Sequence, residues 1–336
     1  MYLRGKKVLL VGGAGLIGSH TVDALLDEDI AEIRIFDNFS RGSMDNISRT
    51  LHDPRVTVFE LGGEILHPEI LRAAMDDIDG VFLFAALWLL HCQEFPRAAF
   101  DVNIAGTFNV IEACIETGVK RVVYSSSASV YGDAVEEPMT EDHPYNNLTF
   151  YGATKVAGEQ MFRALYHRYK DTSQRFDYVG LRYMNVYGPR QDYHGAYVAV
   201  IMKMLDRLDN GLPPIILGDG SQAYDFVYVG DCGRANVCAM KADTTDQYYN
   251  VGTGRKLTLK GLAELLIELT DADVEIAYEP EAQSFVKNRI GCPVKASEEI
   301  GFTFSVELRE GMVKLIEWRK DHKEQVARRM KRAETG

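Results

Sequence analysis

Three groupings of residues in this chain could do chemistry together: the serine run Ser125-Ser126-Ser127, the pair Tyr151 and Lys155, and the segment Arg182-Tyr183-Met184-Asn185. Residues at i and i+4 share one face of a helix. A lysine ammonium beside a phenol favours the phenolate and draws the tyrosine below its ordinary value of about 10. Such a tyrosine can take the proton of an alcohol near neutral pH, while a serine hydroxyl holds the same oxygen. The spacing also occurs at Tyr2/Lys6 and Tyr166/Lys170. Only Tyr151 opens a helix shortly after a serine-rich strand end, so Tyr151 is expected to be the base. Tyr166 is expected to pack or to face solvent.

An alcohol that loses its proton to a base can also lose a hydride, and the start of the chain offers a place for the acceptor. The apolar run Val8 to Val11 reads as a buried parallel strand. Gly12, Gly15 and Gly18 follow at a spacing of three, and a helical pattern continues through Leu16, Ile17 and Val22 to Leu26. Glycines let the chain turn tightly and approach a ligand closely, and a pyrophosphate can sit on the free N–H groups of the helix start. The second strand, Ile33 to Phe36, ends in Asp37, nineteen residues past Gly18. A carboxylate there accepts from ribose hydroxyls and repels a 2′-phosphate, which favours NAD over NADP. An oxidised nicotinamide is cationic and would also favour a phenolate.

The composition narrows the alternatives. The chain has 336 residues, 46% hydrophobic and 26% charged, with a net charge of −12. That charge argues against nucleic acid as a partner. No apolar run in the sequence reaches the roughly 20 residues of a membrane span, so no membrane partner is expected. Five cysteines without a C-x-x-C pair point to a reducing compartment, taken as the cytoplasm. The eight histidines have no metal-ligand spacing, and no metal is expected.

Strands at 56–60, 81–84, 121–124 and 178–181 alternate with helices near Pro68, from Pro96 to Thr117 and from Thr149 to Lys170. This α/β alternation predicts a Rossmann-type, doubly wound parallel sheet over residues 1–182. Residues 183–336, punctuated by Pro213-Pro214, Gly218 and Gly220, are expected to form a smaller α/β substrate-binding domain. Some segments after 226 could rejoin the sheet.

With these motifs the chain resembles the extended short-chain dehydrogenase/reductase family, and within it the nucleotide-sugar 4-epimerases. The glycine triplet, Phe84-Ala85-Ala86, Asn103-Ile104-Ala105-Gly106-Thr107, Ser125 to Gly132, Tyr151 with Lys155, Leu181 to Asn185 and Phe226-Val227-Tyr228-Val229 carry the resemblance over nearly the whole chain. It implies an enzyme that inverts C4 of a nucleotide-activated hexose, such as UDP-glucose/galactose or a UDP-hexuronate, through a transient 4-keto sugar with bound NAD. Ser127, Tyr151 and Lys155 would be catalytic, and Lys155 would also hold the nicotinamide ribose. Leu16, Ile17, Asn38, Ser40, Glu64, Ile65, Ala85, Ala86, Asn103, Ser125 and Tyr183 would line the cofactor. Asn185, Gln222, Tyr224, Arg289 and Trp88 would meet the sugar nucleotide. A homodimer is expected through apolar stripes that include Phe100, Ile104, Phe108, Phe162 and Leu165, part of each stripe having to face the sheet instead. The alternatives are a dehydratase or reductase of the same family and a non-catalytic NAD sensor. Related dehydratases and decarboxylases carry an acid in the segment that here reads Ser127-Ala128-Ser129.

Two arginines that usually hold the pyrophosphate in that family are missing. The corresponding segments read Gln222-Ala223-Tyr224-Asp225 and Glu279-Pro280-Glu281-Ala282-Gln283. Arg289 is therefore expected to bind an anion, either the pyrophosphate or a sugar carboxylate. In Leu87-Trp88-Leu89-Leu90-His91-Cys92, Trp88 could wall the sugar site and the leucines are expected in the core.

Overall fold

The computed structural model describes residues 1–191, 198–280, 286–324 and 327. Its organising strand is β1 (Lys7–Val11), whose residues Val8 to Val11 are fully buried. β1 pairs in parallel with β2 (Glu32–Phe36) on one side and β4 (Gly80–Leu83) on the other. The sheet continues outward through β3 (Val56–Val58) next to β2, and through β5 (Arg121–Ser127) and β6 (Asp177–Tyr183) next to β4. A seventh strand, Gln247–Val251, pairs in parallel with the far edge of β6. The chain leaves β1 toward β2 and returns at β4. Their C-terminal ends therefore diverge above β1, which is where such sheets bind ligands.

One buried apolar cluster covers each face of the sheet, around Leu10, Val22, Ile33 and Val123 on one side and Leu9, Val11, Val81, Ile111 and Phe162 on the other. Two helices on the second face position the site. The helix Phe150–Tyr169 begins at Thr149, whose hydroxyl accepts from Gly152 N, an N-cap of the expected type. The helical run Pro96–Thr117 stops at Gly118, which takes φ +77°, the left-handed cap glycine adopts without strain. Its middle, Phe100–Gly106, is π-helical.

Several expectations change. The run Pro96–Thr117 is long and apolar enough to cross a membrane by length and composition, contrary to the sequence reading. Half of that apolar window is buried inside the protein, and packing on a sheet produces such a composition. Phe162 belongs to the part of its stripe that faces the sheet, buried between Tyr124 and Tyr178. The serines form the C-terminal end of β5, which runs to Ser127. Of the leucines expected in the core, Leu89 is buried, Leu87 is half-buried and Leu90 is exposed.

Beyond β6 lie short strand pairs: Asn185–Tyr187 with Phe226–Tyr228, and Ala223–Tyr224 between Leu257–Thr258 and Asn288–Arg289. Helices Leu259–Thr270 and Leu308–Asp321 pack with them around a third core that includes Ile201, Ile216, Leu262 and Met312. Residues 281–283 of the segment lacking a family arginine lie outside the described residues.

Candidate active site

A cavity of about 540 Å³ lies across the C-terminal ends of β1, β2, β4, β5 and β6. Its floor is the turn from Gly12 to Gly18. Gly12 takes φ +86°, and a Cβ there would lie 2.7 Å from Ala85 N. A Cβ on Gly18 would lie 2.4 Å from Gly12 O, so this glycine lets the helix pack on its own turn. Gly15 differs: the nearest atom to a Cβ would be Gly12 O at 3.3 Å. Gly15 is also the N-cap of the helix Leu16–Leu26, with no side-chain cap and no acid in the first turn. The N–H groups and positive dipole end of that helix are thus presented to the cavity for an anion.

Asp37 stands at the end of β2. Its Oδ1 accepts from Phe39 N (2.8 Å) and its Oδ2 from Ala14 N (2.9 Å), which leaves each oxygen a further lone pair. Burial raises its pKa and the two backbone N–H groups oppose the shift. Glu64 accepts from Asn38 Nδ2 (3.0 Å), and both line the cavity with Ser40 and Ile65. Arg34 does not reach this site. Its guanidinium pairs with Glu32 at 2.8 Å and donates to Ala74 O and Asp76 O. The uncapped helix start, the open face at Gly15 and the acceptor at Asp37 together fit a dinucleotide.

At the other end, Tyr151 and Lys155 face the serines. Lys155 Nζ donates to Ser125 O (2.7 Å) and lies 5.7 Å from the centre of the Tyr151 ring. The Ser127 hydroxyl accepts from Ser129 N (3.1 Å) and lies close enough to the Tyr151 phenol to favour its ionised form. The expected lowering of the Tyr151 pKa is not found in the protein alone. Burial pushes Tyr151 up to about 12, and the Ser127 hydroxyl and the Arg41 and Arg289 charges only partly offset it. Burial also pushes Lys155 down to about 8, with the Cys92 and Glu159 charges opposing. Desolvation by burial is the largest cause for both members of the pair. The other two Tyr/Lys spacings stand apart from the cavity: Tyr2 is 91% exposed, and Tyr166 packs edge-on against Tyr178.

Beneath the serines is a buried ion pair. Arg182 donates to both carboxylate oxygens of Glu159 (2.9 and 2.7 Å), and the Ser126 and Tyr145 hydroxyls donate to the same carboxylate (2.6 and 2.8 Å). The pair fixes β6 to the helix that carries Tyr151 and Lys155, and Ser126 fixes the end of β5 to the same carboxylate.

Most of the residues assigned from the sequence line this one cavity: Gly12, Gly15, Leu16, Ile17, Gly18, Asp37, Asn38, Ser40, Glu64, Ile65, Ala85, Ala86, Trp88, Ser125, Ser127, Tyr151, Lys155, Tyr183, Asn185 and Arg289. Three do not. Asn103 is buried behind the wall, where its amide bonds Leu87 N, Leu87 O and Thr154 Oγ1 and so holds the Trp88 loop in place. Gln222 donates to Leu217 O, and the Tyr224 hydroxyl donates to Val286 O. The cavity is faced instead by Phe226, two residues along, with Met184, Ser129, Arg190 and Arg41, none of which the sequence singled out as site residues. Among the described residues, no group of three or more His, Cys, Asp or Glu converges on a metal position.

The model of the NAD dependent epimerase/dehydratase family matches residues 8–252. The UDP-glucose 4-epimerase of Mycolicibacterium smegmatis is 31% identical over 323 residues, which cover 93% of this chain and 98% of that protein. Among solved structures, the UDP-N-acetylglucosamine 4-epimerase of Methanobrevibacter ruminantium in complex with UDP-N-acetylmuramic acid superposes with a TM-score of 0.87 at 31% identity, covering 95% of this chain and 99% of that one. MoeE5 in complex with UDP-glucuronic acid and NAD gives a TM-score of 0.81 at 29% identity, covering 94% and 99%.

Proposed function

The chain belongs to the NAD dependent epimerase/dehydratase family, and from that premise we propose that it is an NAD-dependent 4-epimerase of a nucleotide-activated hexose. The observation that carries this reading is the distribution of acids around the cavity. The only carboxylates among its described lining residues are Asp37 and Glu64, both on the β2 side. The Tyr151 end has a phenol, an ammonium and hydroxyls, and Ser127-Ala128-Ser129 supplies no acid to drive loss of water or CO₂. A sugar oxidised there can be reduced again but is not helped to eliminate.

When bound, NAD supplies a hydride acceptor and a positive charge beside the phenol. Tyr151 takes the proton of the sugar 4-hydroxyl and later returns it. The Ser127 hydroxyl holds the same oxygen and passes the proton to the phenol. Lys155, anchored on Ser125 O, keeps its ammonium beside the ring and favours the phenolate. The flat 4-keto sugar can present either face, and reduction on the second face gives the epimer with no net change in cofactor. We assign the β2–β3 side, with Asp37, Asn38, Ser40 and Glu64, to the adenosine half. Asn185 and Arg289 are assigned to the sugar nucleotide.

Arg289 is buried at the cavity wall. Its Nη1 is 3.5 Å from Ser129 Oγ, and its charge pulls on the Tyr151 phenol. Both facts support an anion site at the sugar end and favour a hexuronate carboxylate over the pyrophosphate. We also read residues 183–336 as the half that supplies most sugar-nucleotide contacts. The protein is read as a homodimer through the exposed Phe95, Phe100 and Phe108 near and along Pro96–Thr117. Its five cysteines are all free, which supports a cytoplasmic location.

The test is a panel of UDP-, GDP-, CDP- and dTDP-sugars, including hexuronates, followed by epimer formation with deuterium at C4. The reading requires that the label stay in the sugar and that no NADH accumulate. A 4-keto-6-deoxy product or stoichiometric NADH would overturn it. Unchanged substrate affinity in Arg289→Ala would remove the anion-site assignment.

A further inference from the structure

A chain of neutral polar side chains runs through the apolar core beneath the helix Leu16–Leu26, and Asn236 is its centre. This residue stands on the helix Val229–Lys241 and is fully buried. Its Oδ1 accepts from the Tyr183 hydroxyl (2.7 Å), and its Nδ2 donates to Thr21 Oγ1 (3.1 Å) and Cys232 O (2.8 Å). Thr21, also fully buried, donates to Ile17 O (2.9 Å) in the first turn of its own helix. The cluster around them is apolar and includes Val22, Val179, Leu181, Ala235 and Val237.

Both ends of this chain reach the cavity, which Ile17 and Tyr183 line. Ile17 belongs to the turn that presents N–H groups to an anion. Tyr183 closes β6 and pairs in register with Ser127 of β5, two residues beyond Ser125, whose carbonyl holds the Lys155 ammonium. Three hydrogen bonds through Asn236 and Thr21 therefore connect the anion end of the cavity to its proton-transfer end. The two helices also approach closely nearby, since a Cβ on Gly233 would lie 2.5 Å from His20 O. That contact sets how near the helices come, and the Asn236–Thr21 bond sets where along their axes they meet. Packing alone does not call for these groups: a leucine at 236 and a valine at 21 fill similar volumes with no polar atom to satisfy. A buried amide costs folding free energy unless its partners are in place, and what a fully paired set returns is one fixed arrangement.

We propose that Asn236 is a positioning residue for the cofactor: by tying Thr21 to Tyr183 it holds the anion-binding turn and the serine end of β5 at one separation, so that a dinucleotide spanning them meets both ends at once. The proposal rests on the reading that this cavity takes NAD lengthwise, with the pyrophosphate on the turn and the nicotinamide beside Tyr151. A ligand held at two points gains from the second only when their spacing is set beforehand. Asn236 and Thr21 lie behind the cavity wall and act through Ile17 and Tyr183.

The test is the affinity of NAD, ADP-ribose and adenosine for the purified native protein and for Asn236→Leu, Thr21→Val and Thr21→Ser, measured by calorimetry well below each melting temperature, together with kcat and KM for epimerisation. Asn236→Leu and Thr21→Val are expected to weaken NAD roughly threefold to tenfold and to leave adenosine within about twofold, because adenosine does not span the two ends. ADP-ribose, which lacks the nicotinamide, should lose less than NAD. In the same two variants kcat should fall about tenfold while the KM of the sugar nucleotide changes little. Thr21→Ser keeps the hydroxyl and should bind NAD as the native protein does. Combining Asn236→Leu with Thr21→Val should weaken NAD no further than Asn236→Leu alone, since both cut the same link. Native NAD affinity in Asn236→Leu and Thr21→Val, whatever their melting temperatures, would overturn the proposal and leave these residues as core packing. Equal losses for adenosine and NAD, or a Thr21→Ser as impaired as Thr21→Val, would overturn it too. Should Asn236→Leu fail to fold, the two Thr21 variants decide. A native protein that binds no NAD would overturn the parent reading and this proposal with it, whereas variants that match an NAD-binding native protein overturn the proposal alone.

Discussion

Removing one charge of the Glu159–Arg182 pair is expected to unfold the site from beneath. The Glu159 side chain is completely buried and that of Arg182 is 4% exposed. In Glu159→Leu, Arg182 keeps its charge inside a cage of Tyr131, Tyr145 and Tyr248, with the Tyr131 hydroxyl (2.9 Å) and Glu141 O (2.8 Å) among its remaining acceptors. The Ser126 hydroxyl also loses its 2.6 Å acceptor. An orphaned buried charge costs about 3–5 kcal/mol. For a chain of this length that corresponds to a fall in melting temperature on the order of 5–10 °C. Arg182→Leu should cost a similar amount, because it leaves a buried carboxylate with only hydroxyl donors. The double variant removes both charges and should be destabilised by clearly less than the sum, with a coupling energy on the order of 2–4 kcal/mol. Urea unfolding of all four proteins, followed by circular dichroism, measures the cycle. Glu159 also helps keep Lys155 protonated against its burial, so Glu159→Leu should lower activity near pH 7 by more than Arg182→Leu does. Strictly additive single effects would refute the claim that the two charges stabilise one another, and equal activities would refute the link to Lys155.

Other outcomes can be checked at the same bench. Tyr151→Phe should keep NAD affinity within a few-fold and lower kcat for epimerisation by roughly 10²–10⁴; full activity in a C4-deuterium assay would exclude the phenol as base. Lys155 has a folded pKa of about 8 against an ordinary 10.5, so the unfolded chain binds more protons between those values. Stability should therefore rise with pH across that window by about 3 kcal/mol from this group, and the rise should vanish in Lys155→Met when melting is followed against pH. Gly18→Ala should destabilise the fold, since its Cβ meets Gly12 O at 2.4 Å. Gly15→Ala should melt nearly as the native protein does yet bind NAD more weakly, because its Cβ extends into the cradle; differential scanning and calorimetry together separate the two.

What could be read from the sequence was local. The apolar run before Gly12, the glycine spacing, the acid at Asp37 and the helix starting at Thr149 each need only their neighbours in the chain to be recognised. These elements fixed the strand order closely enough to bring Tyr151, Lys155 and the serines to one cleft. The misreadings have physical causes. Gln222 and Tyr224 turn to Leu217 O and Val286 O, partners that their own segment does not reveal, and Phe226 faces the cavity instead. Composition shows that part of each apolar stripe must face the sheet but not which residues do; Phe162 is one, packed on Tyr124 and Tyr178. The Tyr151 pKa was misjudged because sequence spacing reports the lysine but not the burial that desolvates both groups. Arg41 meeting Trp88 depends on two loops far apart in the chain, and nothing in either segment alone announces the contact.

The charges of the cavity give the site a direction that its shape alone does not. The protein carries a net charge of −12, yet the described lining holds Arg41, Lys155, Arg190 and Arg289 against Asp37 and Glu64. The acids lie at the end of β2 and in the loop after β3. On the proposed reading, ribose hydroxyls would find acceptors there and a 2′-phosphate would be repelled. Arg41 stands on the loop after β2, 5.3 Å from the centre of the Trp88 ring. Lys155 and Arg289 place their charges near the phenol at the far end, where the proposed proton removal would create a negative oxygen. Collecting cations inside an acidic protein costs solvation free energy, visible in the burial that depresses the Lys155 pKa. An anionic ligand recovers that free energy and a neutral one does not. Full occupancy of the cleft by NAD and a nucleotide sugar should therefore raise stability more than the summed effects of adenosine and a free hexose, and melting curves with each ligand decide whether the phosphates carry that difference.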